Sequence, residues 1–248
     1  MPERKYRSAL YENYISLQAP QWAQDNARRY SVGCAAALSR LKGWLPPDRN
    51  AKCLDLACGS GRFLRALRVA GYSDVRGVDL GRQAVGLARE AGFQVTQTDL
   101  REYLLESREC FDLITAFDVI EHFGKDEIIE LLQLVRIHLT PNGRFIIQTP
   151  NACSPWASSY RYGDLTHEVI FDARCLASAL RLAGFGEVYA RDVPPYVYSV
   201  ASAVQWLGWK LIWCGYAVWN LIETGSTMGG IYTRNMMLLC TNGEDARC

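Results

Sequence analysis

The residues best equipped for chemistry recur at intervals along the 248-residue chain. Asp55-Leu56-Ala57-Cys58-Gly59-Ser60-Gly61-Arg62 follows a short apolar run and leads into Phe63–Leu67, whose apolar residues have helical spacing. Gly59 and Gly61 let the backbone turn tightly and approach a ligand closely. A dinucleotide fingerprint would need Gly or Ala three positions after Gly61, where Leu64 stands. Asp55, ahead of the glycines, would repel a pyrophosphate and suits a cationic ligand. Asp79 and Asp99 each end a later run of strand character. Asp118, Glu121 and His122 fit on one helical turn and offer oxygen and nitrogen ligands to a divalent ion. His167 lies in a polar loop, and a histidine titrating near neutrality suits removal of a hydroxyl proton.

These groups need a scaffold that brings them together. Apolar runs at 53–56, 75–80, 94–99, 111–117 and 144–149 alternate with amphipathic stretches, among them 82–91 and 127–139. Such alternation predicts a parallel, doubly wound α/β sheet. Asp55, Asp79 and Asp99 then end three strands at one sheet edge, where Asp79 can accept bonds from both hydroxyls of a ribose. Pro141-Asn142-Gly143 predicts a turn, 173–183 a further helix, and 187–191 and 234–241 the last two strands. Residues 1–45 predict two helices ended by Pro46-Pro47, 46–241 the main domain, 194–230 an apolar helical insertion, and 242–248 a tail. His138, at a helix end, reads as a helix-end cation.

Composition narrows the function classes. With 27 Lys+Arg against 26 Asp+Glu, the net charge of +1 makes no electrostatic case for nucleic-acid binding. Nine cysteines without a C-x-x-C pair read as reduced, packed thiols of a cytoplasmic protein. The charged N-terminus has no apolar run behind it, so no signal peptide is expected.

The glycine turn resembles motif I of the class I S-adenosylmethionine (SAM)-dependent methyltransferases, D/E-x-G-x-G-x-G, with Ala57 replacing the first glycine. That resemblance implies a seven-stranded, mostly parallel sheet and SAM as cofactor. It places Asp55, Ala57, Gly59, Gly61, Asp79, Leu80, Asp99, Leu100 and Phe117 around it. Asp99 would lie beside the adenine amino group, Leu100 against the ring, and the residue just beyond the strand that ends at Phe117 would face the transferred methyl. No N/D-P-P-Y stretch is present, which disfavours the amino-methylating enzymes. Asp118-Val119-Ile120-Glu121-His122 instead resembles the DxxEH of small-molecule O-methyltransferases and the E-x-x-E-H of the ubiquinone-pathway enzymes, with Asp118 for their first Glu. The pattern TPN…GDLTHE…F and the late apolar helix are similar to methyltransferases associated with bacterial surface-polysaccharide assembly.

Three functions follow as expectations. The first is O-methylation of a sugar hydroxyl on a surface glycan or its lipid-linked precursor, with His167 as base and His122 as its alternative. The second is O-methylation of a quinone-like or other small aromatic, with Asp118, Glu121 and His122 holding a metal. The third, of another class, is a non-catalytic SAM-binding subunit.

Residues 199–222 carry two stripes at helical spacing. The aromatic one, with Trp206, Trp209 and Trp213, is expected to meet the inner face of the cytoplasmic membrane. The aliphatic one, with Val204, Leu207 and Leu211, is expected to pack on the domain. The alternative is a helix buried in a homodimer.

Overall fold

A computed structural model of the chain describes residues 27–226 and 230–243. The first predicted N-terminal helix lies outside these residues. The second is α1 (Ala27–Arg40), which packs on α2. Strands and helices then alternate: β1 (Cys53–Leu56), α2 (Arg62–Val69), β2 (Val75–Asp79), α3 (Arg82–Glu90), β3 (Gln94–Gln97), α4 (Leu100–Glu106) and β4 (Phe111–Phe117). After them come α5 (Lys125–Ile137), β5 (Leu139–Pro150), α6 (Ala157–Arg161), α7 (Ala173–Leu182), β6 (Val188–Asp192), α8 (Val200–Thr224) and β7 (Asn235–Thr241).

The seven strands form one sheet in the order β3-β2-β1-β4-β5-β7-β6. All neighbours pair in parallel except β7, which runs antiparallel to β5 and β6. The expected doubly wound sheet is therefore present. Its strand order reverses between β1 and β4, where an open α/β sheet leaves a crevice beyond its carboxyl ends.

Because both faces are covered, the central strands are apolar at nearly every position. Leu54, Leu56, Ile114 and Phe145 pack on one face against Leu104 of α4, Leu132 of α5 and Leu176 of α7. Cys53, Leu113 and Ile146 pack on the other against Leu64 and Leu67 of α2 and Ala88 of α3. Gly77 of β2 has no room for a side chain, since a Cβ there would stand 2.5 Å from Cys58 Sγ.

Four expectations are corrected. The predicted turn at Pro141-Asn142-Gly143 lies inside β5, which starts at Leu139 and pairs with β4 across a register irregularity, with Asn142 at φ 61°. The connector after β5 contains the short helix α6. Cys110 is disulfide-bonded, whereas the seven other described cysteines are free. On α8 the two stripes are exchanged: Trp206, Trp209 and Trp213 lie half-buried against the domain, while Val204, Leu207 and Leu211 are exposed. The indole of Trp213 donates to the carbonyl of Gly230 at 2.6 Å and its ring meets Tyr232. An aromatic with a polar handle finds its partner on the domain side, and the aliphatic stripe is left outside.

Candidate active site

A cavity of about 360 Å³ opens at the switch point. The β1 turn forms one wall through Ala57 and Gly59, and Ala57 (55°), Gly59 (55°) and Gly61 (76°) all hold positive φ. Ala57 thus keeps the left-handed backbone of the glycine it replaces, a conformation that costs an L-residue roughly 1–2 kcal/mol. Asp55 is 3% exposed and accepts a 2.6 Å bond from the Thr115 hydroxyl. Burial pushes its pKa up to about 7. A cation sharing its site would favour the ionised form of such a carboxyl.

Asp79 joins two turns. Its Oδ2 accepts from the Gly59 N–H at 2.8 Å and its Oδ1 from the Gly81 N–H at 2.7 Å. Burial raises its pKa and those two N–H groups draw it back down, leaving it above the usual carboxylate range. Each oxygen keeps a lone pair for a ligand hydroxyl. Asp99 accepts from the Arg101 N–H at 2.8 Å and so caps α4, while still lining the cavity with Leu80, Leu100 and Phe117. Gly61 is corrected: it does not line the cavity. It starts α2 in a left-handed conformation where a Cβ would meet Phe93 at 3.0 Å and Ala88 at 3.3 Å. Its lack of a side chain lets the start of α2 pack against Ala88 of α3 and Phe93 ahead of β3.

The opposite wall begins where β4 ends. Asp118, at φ 56°, opens onto the cavity and accepts from Gln148 Nε2 at 3.0 Å and Asn235 Nδ2 at 3.1 Å. The protein crowded around it pushes its pKa up to about 6. A 3-10 turn, Ile120–His122, then buries Glu121 and His122. Neither caps the next helix: Gly124 begins α5, and its N–H is held by Glu127 at 2.7 Å. Glu121 Oε2 accepts from the Thr149 hydroxyl at 3.0 Å, while its buried Oε1 has no hydrogen-bond partner. Burial, and Asp118 nearby, hold the Glu121 carboxyl well above its usual range.

The two histidines come together here. The Thr166 hydroxyl donates to Asp164 Oδ1 at 2.6 Å, so its contact of 2.8 Å with His122 Nδ1 requires that nitrogen to donate. His167 Nδ1 lies 2.7 Å from the Tyr160 carbonyl, which can only accept. Burial, with His167 adding to it, pushes the His122 pKa down to about 4. His122 lines the cavity and His167 stands behind it, ring centroids 4.8 Å apart. Ligand atoms of Glu121, His122 and His167 all lie within 4.8 Å of one another. The expected metal set is corrected at one member: His167 replaces Asp118, which bonds to Gln148 and Asn235 instead.

His138 is the C-cap of α5, its nitrogens facing the carbonyls of Leu134 and Ser107, well away from this site. Sequence reasoning passed over Ser60 and Gln148, which both line the cavity, the buried Oγ of Ser60 having no hydrogen-bond partner. It also passed over Asp164 and Thr166, which sit beside His167 in the GDLTHE stretch and orient His122.

Sheet order, glycine turn and strand-end acids together define a class I SAM-dependent methyltransferase. The chain belongs to the methyltransferase domain family, whose sequence model matches residues 26–189. It is similar to the ubiquinone biosynthesis O-methyltransferase of Aromatoleum aromaticum, 31% identical over 42% of this chain and 48% of that protein. The mitochondrial enzyme of the same description from Rattus norvegicus is 31% identical over 42% of this chain and 32% of its own length. The chain thus spans less than half the length of these curated relatives. Among solved structures, a SAM-dependent methyltransferase from Archaeoglobus fulgidus superposes with a TM-score of 0.61 at 20% identity, covering 84% of this chain and 94% of that one. Phosphoethanolamine N-methyltransferase 2 of Haemonchus contortus, bound to SAM, gives 0.59 at 14% identity over 94% and 60%. These two share the fold. The chain thus carries a SAM-dependent methyltransferase domain.

Proposed function

We propose that the enzyme methylates a hydroxyl, with the His122–His167 pair supplying the base. The observation that carries this reading is the approach of the two rings at the cavity wall, where His122 lines the cavity and His167 stands 4.8 Å behind it. Asp55 would face the cationic end of SAM, Asp79 the ribose hydroxyls, Asp99 and Leu100 the adenine, and Phe117 the methyl. In the transfer, a bond forms between acceptor oxygen and methyl carbon as the sulfur–carbon bond breaks. The hydroxyl proton passes to the His122–His167 pair, and S-adenosylhomocysteine leaves. Much of the acceleration comes from holding the two reactants in line.

The names of the curated relatives and the Glu121-His122 turn support a phenolic hydroxyl on a quinone-like ring. A sugar hydroxyl on a glycan or lipid-linked precursor is the second reading. It is favoured by the GDLTHE stretch and by the polar trio of Gln148, Asp118 and Asn235, which can bond neighbouring hydroxyls.

Glu121, His122 and His167 also fit a divalent ion, since Glu121 Oε1 is a buried oxygen without a partner. An ion held there would lower the acceptor hydroxyl's pKa as a Lewis acid, and the histidines would then be ligands.

The deciding experiment supplies methyl-labelled SAM with a catechol panel and, separately, with a bacterial lipid-linked sugar fraction. Each is run with and without a chelator. Label in the phenol pool supports the first reading and label in the glycan pool the second. Label entering only nitrogen-methylated products would overturn both. Loss of turnover on chelation, with recovery on adding magnesium or zinc, assigns the histidines to a metal.

A further inference from the structure

α8 is a 25-residue helix in which only Ser202 and Ala217 are buried. Val200, Val204, Leu207, Leu211, Val218 and Ile222 fall within one narrow stripe at 100° per residue, and each is between 55% and 83% exposed. A continuous apolar stripe of this length normally marks an interaction surface.

Its place in the fold gives it a direction. β6 ends at Asp192, paired with Met236, and β7 begins at Asn235, paired with Pro150 at the end of β5. The segment between them therefore leaves from and returns to the carboxyl edge of the sheet, where the cavity opens. A second exposed cluster shares that edge: Trp156, Tyr162 and Leu165, in the loop region that carries His167, are 60%, 80% and 75% exposed. Two exposed cations accompany it. The guanidinium of Arg161 lies 5.7 Å from the Tyr162 ring, and that of Arg234 lies 6.0 Å from the Trp156 ring. On α8 itself Lys210 is set among Trp206, Trp209 and Trp213, and the single acid, Glu223, is in the last turn with the Trp219 indole bonded to it at 3.0 Å.

We infer that this edge docks on an anionic lipid surface, with α8 lying in the plane of the headgroups and its aliphatic stripe in the acyl boundary. None of the helices, among the described residues, is long and apolar enough to cross a membrane. A helix with an aliphatic outer stripe, the exposed Trp219 on its flank and nearby cations suits the interface instead. The charge pattern selects the occupant. Arg161 and Arg234 beside exposed rings complement anionic headgroups, whereas a second copy would oppose like charges on this rim. If the hydroxyl-methylating reading holds, a lipid-borne acceptor reaches the cavity with its chain still in the bilayer. The docking itself does not depend on that reading.

The test is flotation of the full chain with vesicles of phosphatidylcholine plus phosphatidylglycerol, and of phosphatidylcholine alone. The wild type should float with the anionic vesicles, less so at high salt. The combined variant Leu207→Ser, Leu211→Ser, Val218→Ser should stay at the bottom while binding S-adenosylhomocysteine as the wild type does. Arg161→Gln should weaken partition roughly fivefold, the expectation for one interfacial cation. Brominated lipid should quench wild-type emission more than that of Trp219→Phe, a reading of contact that needs no folded triple variant. A wild type that remains at the bottom, unquenched, overturns the inference. So does a wild-type dimer that the triple variant converts to monomer, which would assign the stripe to a second copy. Because no turnover is measured, failure here leaves the methyl-transfer reading untouched.

Discussion

His122 and His167 meet edge to face, ring centroids 4.8 Å apart, and each has its Nδ1 engaged: one by the Thr166 hydroxyl, the other by the Tyr160 carbonyl. Two imidazoles fixed in this way stand with Glu121 so that their ligand atoms lie within 4.8 Å of one another, an arrangement that can take a proton or hold a metal.

Substituting the outer ring separates those roles. His167→Ala should keep SAM affinity, measured by calorimetry, and lose roughly 10²–10⁴ in turnover. Thr166→Val removes only the group that orients His122. Its loss should be smaller, with the wild-type pH profile retained. Near-normal turnover in His167→Ala would move the base to His122.

Asp55 should make cofactor binding pH-dependent. Its pKa in the fold, about 7, lies above the ordinary carboxylate value of about 3.9. Between those values the folded state holds more protons than the unfolded one, so ligand-free stability falls as pH rises and levels off above about 7. SAM affinity should move the opposite way, rising from pH 6 to pH 8 as the carboxylate forms. In Asp55→Asn both slopes should flatten, which thermal melts and calorimetry at each pH will check.

Asp79→Ala should weaken SAM binding by about 1–3 kcal/mol, the range for hydrogen bonds to a charged group. Since Asp79 also holds the Gly59 and Gly81 N–H groups, the ligand-free melting temperature should drop as well. Asp79→Asn, which retains one acceptor oxygen, should recover part of each. Unchanged affinity in a folded Asp79→Ala protein removes the residue from the ribose site.

Ala57→Gly should stabilise the protein by up to about 1 kcal/mol. It relieves a left-handed φ of 55° at the cost of a more flexible unfolded chain. SAM affinity should stay constant. A lower melting temperature would mean that the Ala57 methyl packs better than its backbone suffers.

The primary sequence by itself determined the sheet and the cofactor wall. Apolar runs of strand length, each followed by helical periodicity, leave a doubly wound topology as the efficient way to bury both faces. An acid at the tip of β1, an acid at the tip of β2 and an acid just beyond β3 then fall at one edge because parallel strands end together. His167 and His122 were both legible as bases, but not as a pair. Their approach depends on the chain after β5 folding back, with the Glu168 and Val169 N–H groups bonded to the Glu121 carbonyl at 2.8 Å and 3.2 Å, a long-range contact that no local period encodes. The same holds for Gly61, whose type marks a tight turn while only its neighbours Phe93 and Ala88 reveal a packing role. On α8 the periodicity separated two stripes correctly yet could not say which one faces the domain. That choice belongs to tertiary structure, because the Gly230 carbonyl that receives the Trp213 indole comes from the segment leading into β7.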